Sequence, residues 1–194
     1  MGYFSEYLII ALLVYGMNVV PAFMPPTWII LAFFYVKYKL LFFPLVFIGA
    51  LAAILGRITL YLLTKQFFHP VLSKKTKQNL DVLGKYINAK KYITIPLFIT
   101  YAFFPIPSNH IYIAAALAKV HIRLLASSFF VGRLISYSFW ISISAIGAKS
   151  LHAIFSSQFK RPSSFIVEAV GFLIIYVITK MDWNRLLRSI KNKF

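Results

Sequence analysis

Cysteine is absent from the 194 residues. That excludes disulfides, zinc-thiolate sites and thiol nucleophiles, and leaves no residue that reports on a redox compartment. Acids are nearly absent as well: four Asp and Glu face 21 Lys and Arg, a formal net charge of +17. With so few carboxylates and no Gly-x-Ser-x-Gly turn, there is no nucleophile and base constellation, and the chain reads as a non-enzyme. The four histidines, His69, His110, His121 and His152, show no ligand spacing, so neither a metal nor another cofactor is expected.

Apolar residues are what the chain has in quantity: 60% are hydrophobic and 18% aromatic, with a mean hydropathy of +0.78. This is too apolar for a soluble domain of this length and predicts an all-α polytopic membrane protein, a single integral membrane domain over 1–194. The cations cluster between apolar runs, so they read as topology signals and as attraction to anionic lipid headgroups, not as a nucleic-acid face. The N-terminal run "MGYFSEYLIIALLVYGMNVV" has no Lys or Arg ahead of it and no small-residue cleavage site, and is expected to be retained.

Apolar segments run over about 3–18, 19–36, 40–64, 92–118, 124–148 and 163–179. The third and fifth are long enough to cross a bilayer, and the last is shorter but adequate. Proline breaks two of the others: Pro21, Pro25 and Pro26 interrupt 19–36, and Pro105 and Pro107 interrupt 92–118. Proline removes helix hydrogen bonds and pushes the preceding residue toward extended geometry, so each segment is expected to form two half-helices meeting at an irregular tip. Such backbone is tolerated at membrane depth where protein or water surrounds it, which predicts re-entrant hairpins; kinked spanning helices or interfacial loops are the alternatives.

The 65–91 loop carries Lys65, Lys74, Lys75, Lys77, Lys85, Lys90 and Lys91 against Asp81 alone, which predicts a cytoplasmic loop in a cell membrane. If 40–64 and 124–148 then cross and 163–179 returns, Lys119, Arg123, Lys180, Arg185, Arg188, Lys191 and Lys193 also lie inside, with the C-terminus. Lys37, Lys39, Lys149, Lys160 and Arg161 lie outside. A first span over 3–18 would put the N-terminus inside. After an Asp182 N-cap, Trp183, Leu186, Leu187, Ile190 and Phe194 recur at helical spacing, a basic amphipathic helix over 182–194 on the inner leaflet. Leu80, Leu83 and Ile87 repeat the pattern more weakly. Simple topological anchoring explains both equally well.

Two cations remain, Arg57 and Arg133, inside the similar hexapeptides "GRITLY" and "GRLISY". Each follows a proline-broken segment, an approximate inverted repeat whose registers differ: Pro26 precedes Gly56 by 30 residues and Pro107 precedes Gly132 by 25. An Arg at the bilayer centre costs about 2.5–3.5 kcal/mol on insertion scales, so the pair marks a polar interior. A guanidinium suits a lipid phosphate because its planar fork donates two parallel hydrogen bonds. Tyr61 and Tyr137, four residues on, would steady the headgroup or the arginine, and Asn109 beyond the second tip completes the substrate-binding set. The alternative is that the arginines snorkel to the interface. Glu168 is the one carboxylate within a span, either a proton or ion-pair site or an interfacial residue.

The segment "MPPTWIILAFFYV" leading to "GALAAILGRITLYLLTK", and "FFPIPSNHIYIAAALAKVHIRLLASSFFVGRLISYSFW" after it, resemble the DedA family, the SNARE-associated or VTT-domain superfamily, over about residues 18–148. The resemblance implies two proline hairpins, each followed by a glycine-containing span, and a lipid-handling role. Where bacterial members carry acids around the first hairpin, this chain has Asn18 and Thr27. Where they carry arginines three residues either side of the second hairpin's proline it has Ala102 and Ser108, and Arg57 replaces the acid after the helix glycine. The expected function is movement of an anionic amphipathic lipid, a phospholipid or polyprenyl phosphate, between leaflets. The partners would be membrane lipids, with a homo-oligomer possible. A proton- or ion-coupled carrier of a small solute and a scaffold binding anionic lipid or protein are the other readings.

Overall fold

The structure, a computed structural model, describes residues 4–21, 26–104, 108–146, 163–183 and 185–187, and no side chains at 145–146 and 163–168. Pro25, Pro105, Pro107, Lys149, Lys160, Arg161, the tail from 188 onward and the side chain of Glu168 therefore lie outside it. The described residues form helices and no strands: α1 (Phe4–Val19), α2 (Thr27–Tyr38), α3 (Phe42–Leu63), α4 (Lys74–Ala89), α5 (Lys91–Phe103), α6 (Asn109–Leu117), α7 (Ile122–Ile146) and α8 (Ser163–Lys180). A π-turn, Thr64–Phe68, extends α3. With it, α3 is one of two helices among the described residues that are long and apolar enough to cross a membrane; α7 is the other. Pro44 stands in the first turn of α3, where its missing N–H is one that no helical partner would have used.

Residues 92–118 form the two expected half-helices, α5 and α6, on either side of Pro105 and Pro107, whereas the first proline break joins different arms from those the sequence suggests. Residues 19–36 do not form two half-helices of their own. The helix over the first apolar segment runs on to Val19 and is itself the first arm of the hairpin, α2 being the second. The residue before a proline avoids helical geometry, so α1 stops ahead of Pro21. The hydroxyl of Tyr7 accepts from the Leu41 amide at 3.0 Å, which places the start of α1 beside the start of α3. Tyr15 and Thr59 share a hydroxyl hydrogen bond of 3.1 Å further along. Hence α1 runs alongside α3 in the same direction and α2 comes back. The N-terminal end of α1 thus shares a side with Lys37 and Lys39, not with the basic loop as a separate first span would require.

The second half repeats this plan. Lys91 at the start of α5 lines a cavity with His121 and Arg123 at the start of α7, and α5 packs along α7 as α1 does along α3. The second arm, α6, returns to a turn at Lys119. Lys119 (φ 55°) and Lys39 (φ 50°) are the two non-glycine residues in left-handed geometry among the described residues, and each ends the second arm of its hairpin. The Tyr61 hydroxyl donates to the Val120 carbonyl at 2.8 Å, setting the start of α7 against the end of α3. The two halves therefore run in opposite senses.

Glycines fix the register of both halves. A Cβ on Gly56 would meet the Tyr15 carbonyl oxygen at 2.6 Å and the Asn18 Cβ at 2.7 Å; one on Gly132 would meet the Ala102 Cβ at 2.6 Å and the Ile99 carbonyl oxygen at 2.9 Å. The two contacts are the same: a side chain on the hairpin's first arm and the carbonyl three residues before it. Pro21 and Pro105 each follow that side chain by three residues. The repeat is thus in register on these prolines, and the mismatch measured from Pro26 and Pro107 reflects the unequal second arms.

Helix α4 begins at Ser73, whose Oγ accepts from the Thr76 amide at 3.2 Å. Its Leu80 is fully buried, with Leu83 and Ile87 packed on the same core, so this apolar stripe is covered by protein and not left for a membrane surface. A Cβ at Gly84 would collide with the Ala118 carbonyl. The same turn is held by an ion pair of 3.0 Å between Lys119 and Asp81, and by the His121 amide donating to Asn88 Oδ1 at 2.9 Å. Gly84→Ala is expected to destabilise the fold by about 1–3 kcal/mol, because the clash is with backbone that cannot rotate away. Thermal unfolding in detergent with an unchanged midpoint would contradict this packing. At the C-terminal end, Asp182 Oδ1 accepts from the Arg185 amide at 3.2 Å, the expected N-cap.

Candidate functional site

Arg57 and Arg133 come from helices of opposite halves, and both are buried in the interior. They are 6% and 8% exposed. Each guanidinium lies within electrostatic range of the other, and Tyr101, Tyr112 and Tyr137 lie within that range of Arg57. Burial at this level distinguishes the arrangement from long side chains extended to a surface.

Arg57 closes the first hairpin. Its Nη1 donates to the Asn18 carbonyl at 3.1 Å, one of the carbonyls a helix C-terminus leaves without a partner, and the cation also suits the negative end of the α1 dipole. Asn18 is 1% exposed. Its Nδ2 donates to the Val14 carbonyl at 2.8 Å and reaches Thr27 Oγ1 at 3.4 Å, joining the end of α1 to the start of α2. Arg133 has aromatic neighbours instead, its guanidinium carbon lying 4.7 Å from the Phe129 ring centre and 5.5 Å from that of Tyr137.

Several buried polar atoms are left without partners. Arg57 Nε, Arg133 Nε, the Tyr137 hydroxyl and Ser108 Oγ are all buried and unbonded among the described residues. Among the described residues no carboxylate answers the two cations either. Asp81 is engaged with Lys119, Asp182 caps the chain after α8, and Glu6 lies in the first turn of α1, at the opposite end of that helix from Asn18. A buried charge without a partner is costly, by several kcal/mol in a low-dielectric interior. Two buried arginines, with an unbonded tyrosine hydroxyl beside Arg133, are complementary to an anion with several acceptor oxygens.

The other sequence candidates divide. Tyr137 is fully buried beside Arg133, and Asn109, 4% exposed, opens α6 at the second tip. Tyr61 is committed elsewhere, to Val120. Tyr61→Phe should therefore cost about 1 kcal/mol of stability and leave function near wild type, read as a lowered unfolding midpoint beside normal activity. Pro21 and Pro26 flank the first tip. Asn18 and Ser108 were not among the sequence candidates, although a polar residue beside each proline break is a visible signal. Trp28 and Trp140 were missed as well. Their rings stack at 5.4 Å, and Trp140 Nε1 donates to the Phe103 carbonyl at 3.4 Å, so α7 is linked to the arms of both hairpins.

Comparison with family models, curated proteins and solved structures finds no match to this chain.

Proposed function

We propose that this protein is a polytopic membrane protein that carries the headgroup of an anionic amphipathic lipid, such as a phospholipid or polyprenyl phosphate, between leaflets. The observation that carries the reading is the pair of buried arginines from opposite halves, with unbonded donors and no described carboxylate beside them. In this reading the two hairpins are re-entrant from opposite sides, their arms being too short to cross while α3 and α7 span. Arg57 lies 15 residues into α3, about 22 Å from its start, so the end of α1 that it caps lies well inside the bilayer. A path for a charged headgroup through hydrocarbon needs such a polar interior, and the lipid tails stay in the bilayer beside it. The likeness of the proline hairpins to the DedA family supports the same role. The cation distribution supports a cytoplasmic 65–91 loop and C-terminus in the cell membrane.

The test is a leaflet assay on purified protein in vesicles containing a fluorescent anionic phospholipid, bleached from outside by an impermeant reductant. Protein should render inner-leaflet probe accessible, whereas empty vesicles bleach only the outer fraction. No difference between them sinks the proposal. Acceleration that appears only under a proton gradient would instead favour a coupled carrier.

A further inference from the structure

The two arms of the second hairpin are splayed. Helix α5 packs along α7, whereas α6 packs on α3 and α8. Between the arms lies a cavity of ≈ 300 Å³, walled by Leu97, Phe98 and Tyr101 of α5 and by Ile111 and Ala114 of α6, and floored by Leu83 and Ile87 of α4. Its mouth is marked by Leu97, 65% exposed on the flank of the bundle. Tyr101 is the one polar residue in the lining, and the same tyrosine lies within electrostatic range of Arg57 and Arg133. The apolar space therefore ends on a tyrosine that interacts electrostatically with both cations.

We infer that this cavity seats the hydrocarbon chain of the lipid whose headgroup is held at the arginine pair, an inference that rests on the function proposed above. Water is a poor occupant, because a buried water needs two to four polar partners and this lining offers one. An empty void of this size forfeits dispersion contacts along every wall. The flank that it opens onto carries a further exposed apolar side chain, Ile93, one turn before Leu97, so hydrocarbon is the neighbouring medium in a bilayer. A chain entering past Leu97 fills the space between the arms while its polar end reaches the cations beyond Tyr101. The cavity supplies chain burial and the arginines supply charge recognition, so a ligand needs both to bind tightly.

The experiment uses full-length protein in vesicles containing phosphatidic acid with a photoreactive diazirine midway along one acyl chain, with crosslinks mapped by peptide mass spectrometry. Labelling of α5 and α6 at Leu97, Phe98 and Ile111 should exceed that of the outward residues Leu51 and Leu55 on α3. Ala114→Phe, which fills the cavity, should cut the α5 and α6 labelling about tenfold, equivalent to losing burial of roughly two methylenes. Leu97→Trp, at an exposed position that cannot disturb the core, should do the same by narrowing the mouth. Equal labelling of both surfaces, or labelling undiminished in both variants, overturns the chain site. Leaflet exchange by wild-type protein in the same vesicles separates the two ideas. Cavity labelling without exchange removes the transport reading and keeps the chain site, whereas exchange without cavity labelling does the reverse.

Discussion

Replacing Arg57 and Arg133 together by glutamine should reduce leaflet exchange to the rate of protein-free vesicles. Each guanidinium would contribute charge-assisted hydrogen bonds of about 1.5–3 kcal/mol to a bound anion, so each single variant should lose about tenfold to a hundredfold. Stability should move differently at the two positions. Arg133 has aromatic contacts and an unbonded Nε, so Arg133→Gln removes an incompletely compensated buried charge and should leave the unfolding midpoint unchanged or raised. Arg57 also closes the end of α1 through Asn18, so Arg57→Gln should lower the midpoint by the weight of one such bond. Loss of exchange with retained or increased stability at Arg133 is the signature of a residue kept for binding. A scaffold with dry hairpins would show neither the loss nor this contrast.

The second large effect is expected at the helix crossings. Gly56→Leu and Gly132→Leu should each prevent the hairpin's first arm from seating, costing about 3 kcal/mol or more, because the new side chain meets a carbonyl oxygen as well as a Cβ. Folded yield and monodispersity on size exclusion would report it. Gly16 on α1 is the internal control: a Cβ there has nothing within 4 Å. Gly16→Ala should stabilise by about 0.5–1 kcal/mol through helix propensity alone. If all three glycines behaved alike, the crossings would not be what sets the register.

How much of this the sequence discloses depends on the range of the interaction concerned. Proline breaks are local events, and the two tips lie where the prolines stand. Which of three prolines ends α1 is not local. It depends on Asn18 seating against Gly56, and the alignment from Pro26 therefore missed the equivalence of Pro21 and Pro105. The arginines were visible as the only cations that no membrane surface claimed, and the structure buries both. Tyr61 could not be separated from Tyr137 by its spacing, because its partner, Val120, is 59 residues away and becomes a neighbour only when the halves assemble. The stripe of Leu80, Leu83 and Ile87 looked the same whether its cover was lipid or protein.

The stacked indoles of Trp28 and Trp140 have a spectroscopic consequence. They belong to opposite halves, and the chain contains only one other tryptophan. At 5.4 Å and an interplanar angle of 24° the two chromophores are coupled, so their excited states mix and produce a paired signal in circular dichroism. That signal decays steeply with separation. Any movement of one half against the other can then be followed in unlabelled protein, with Trp183 as the uncoupled background.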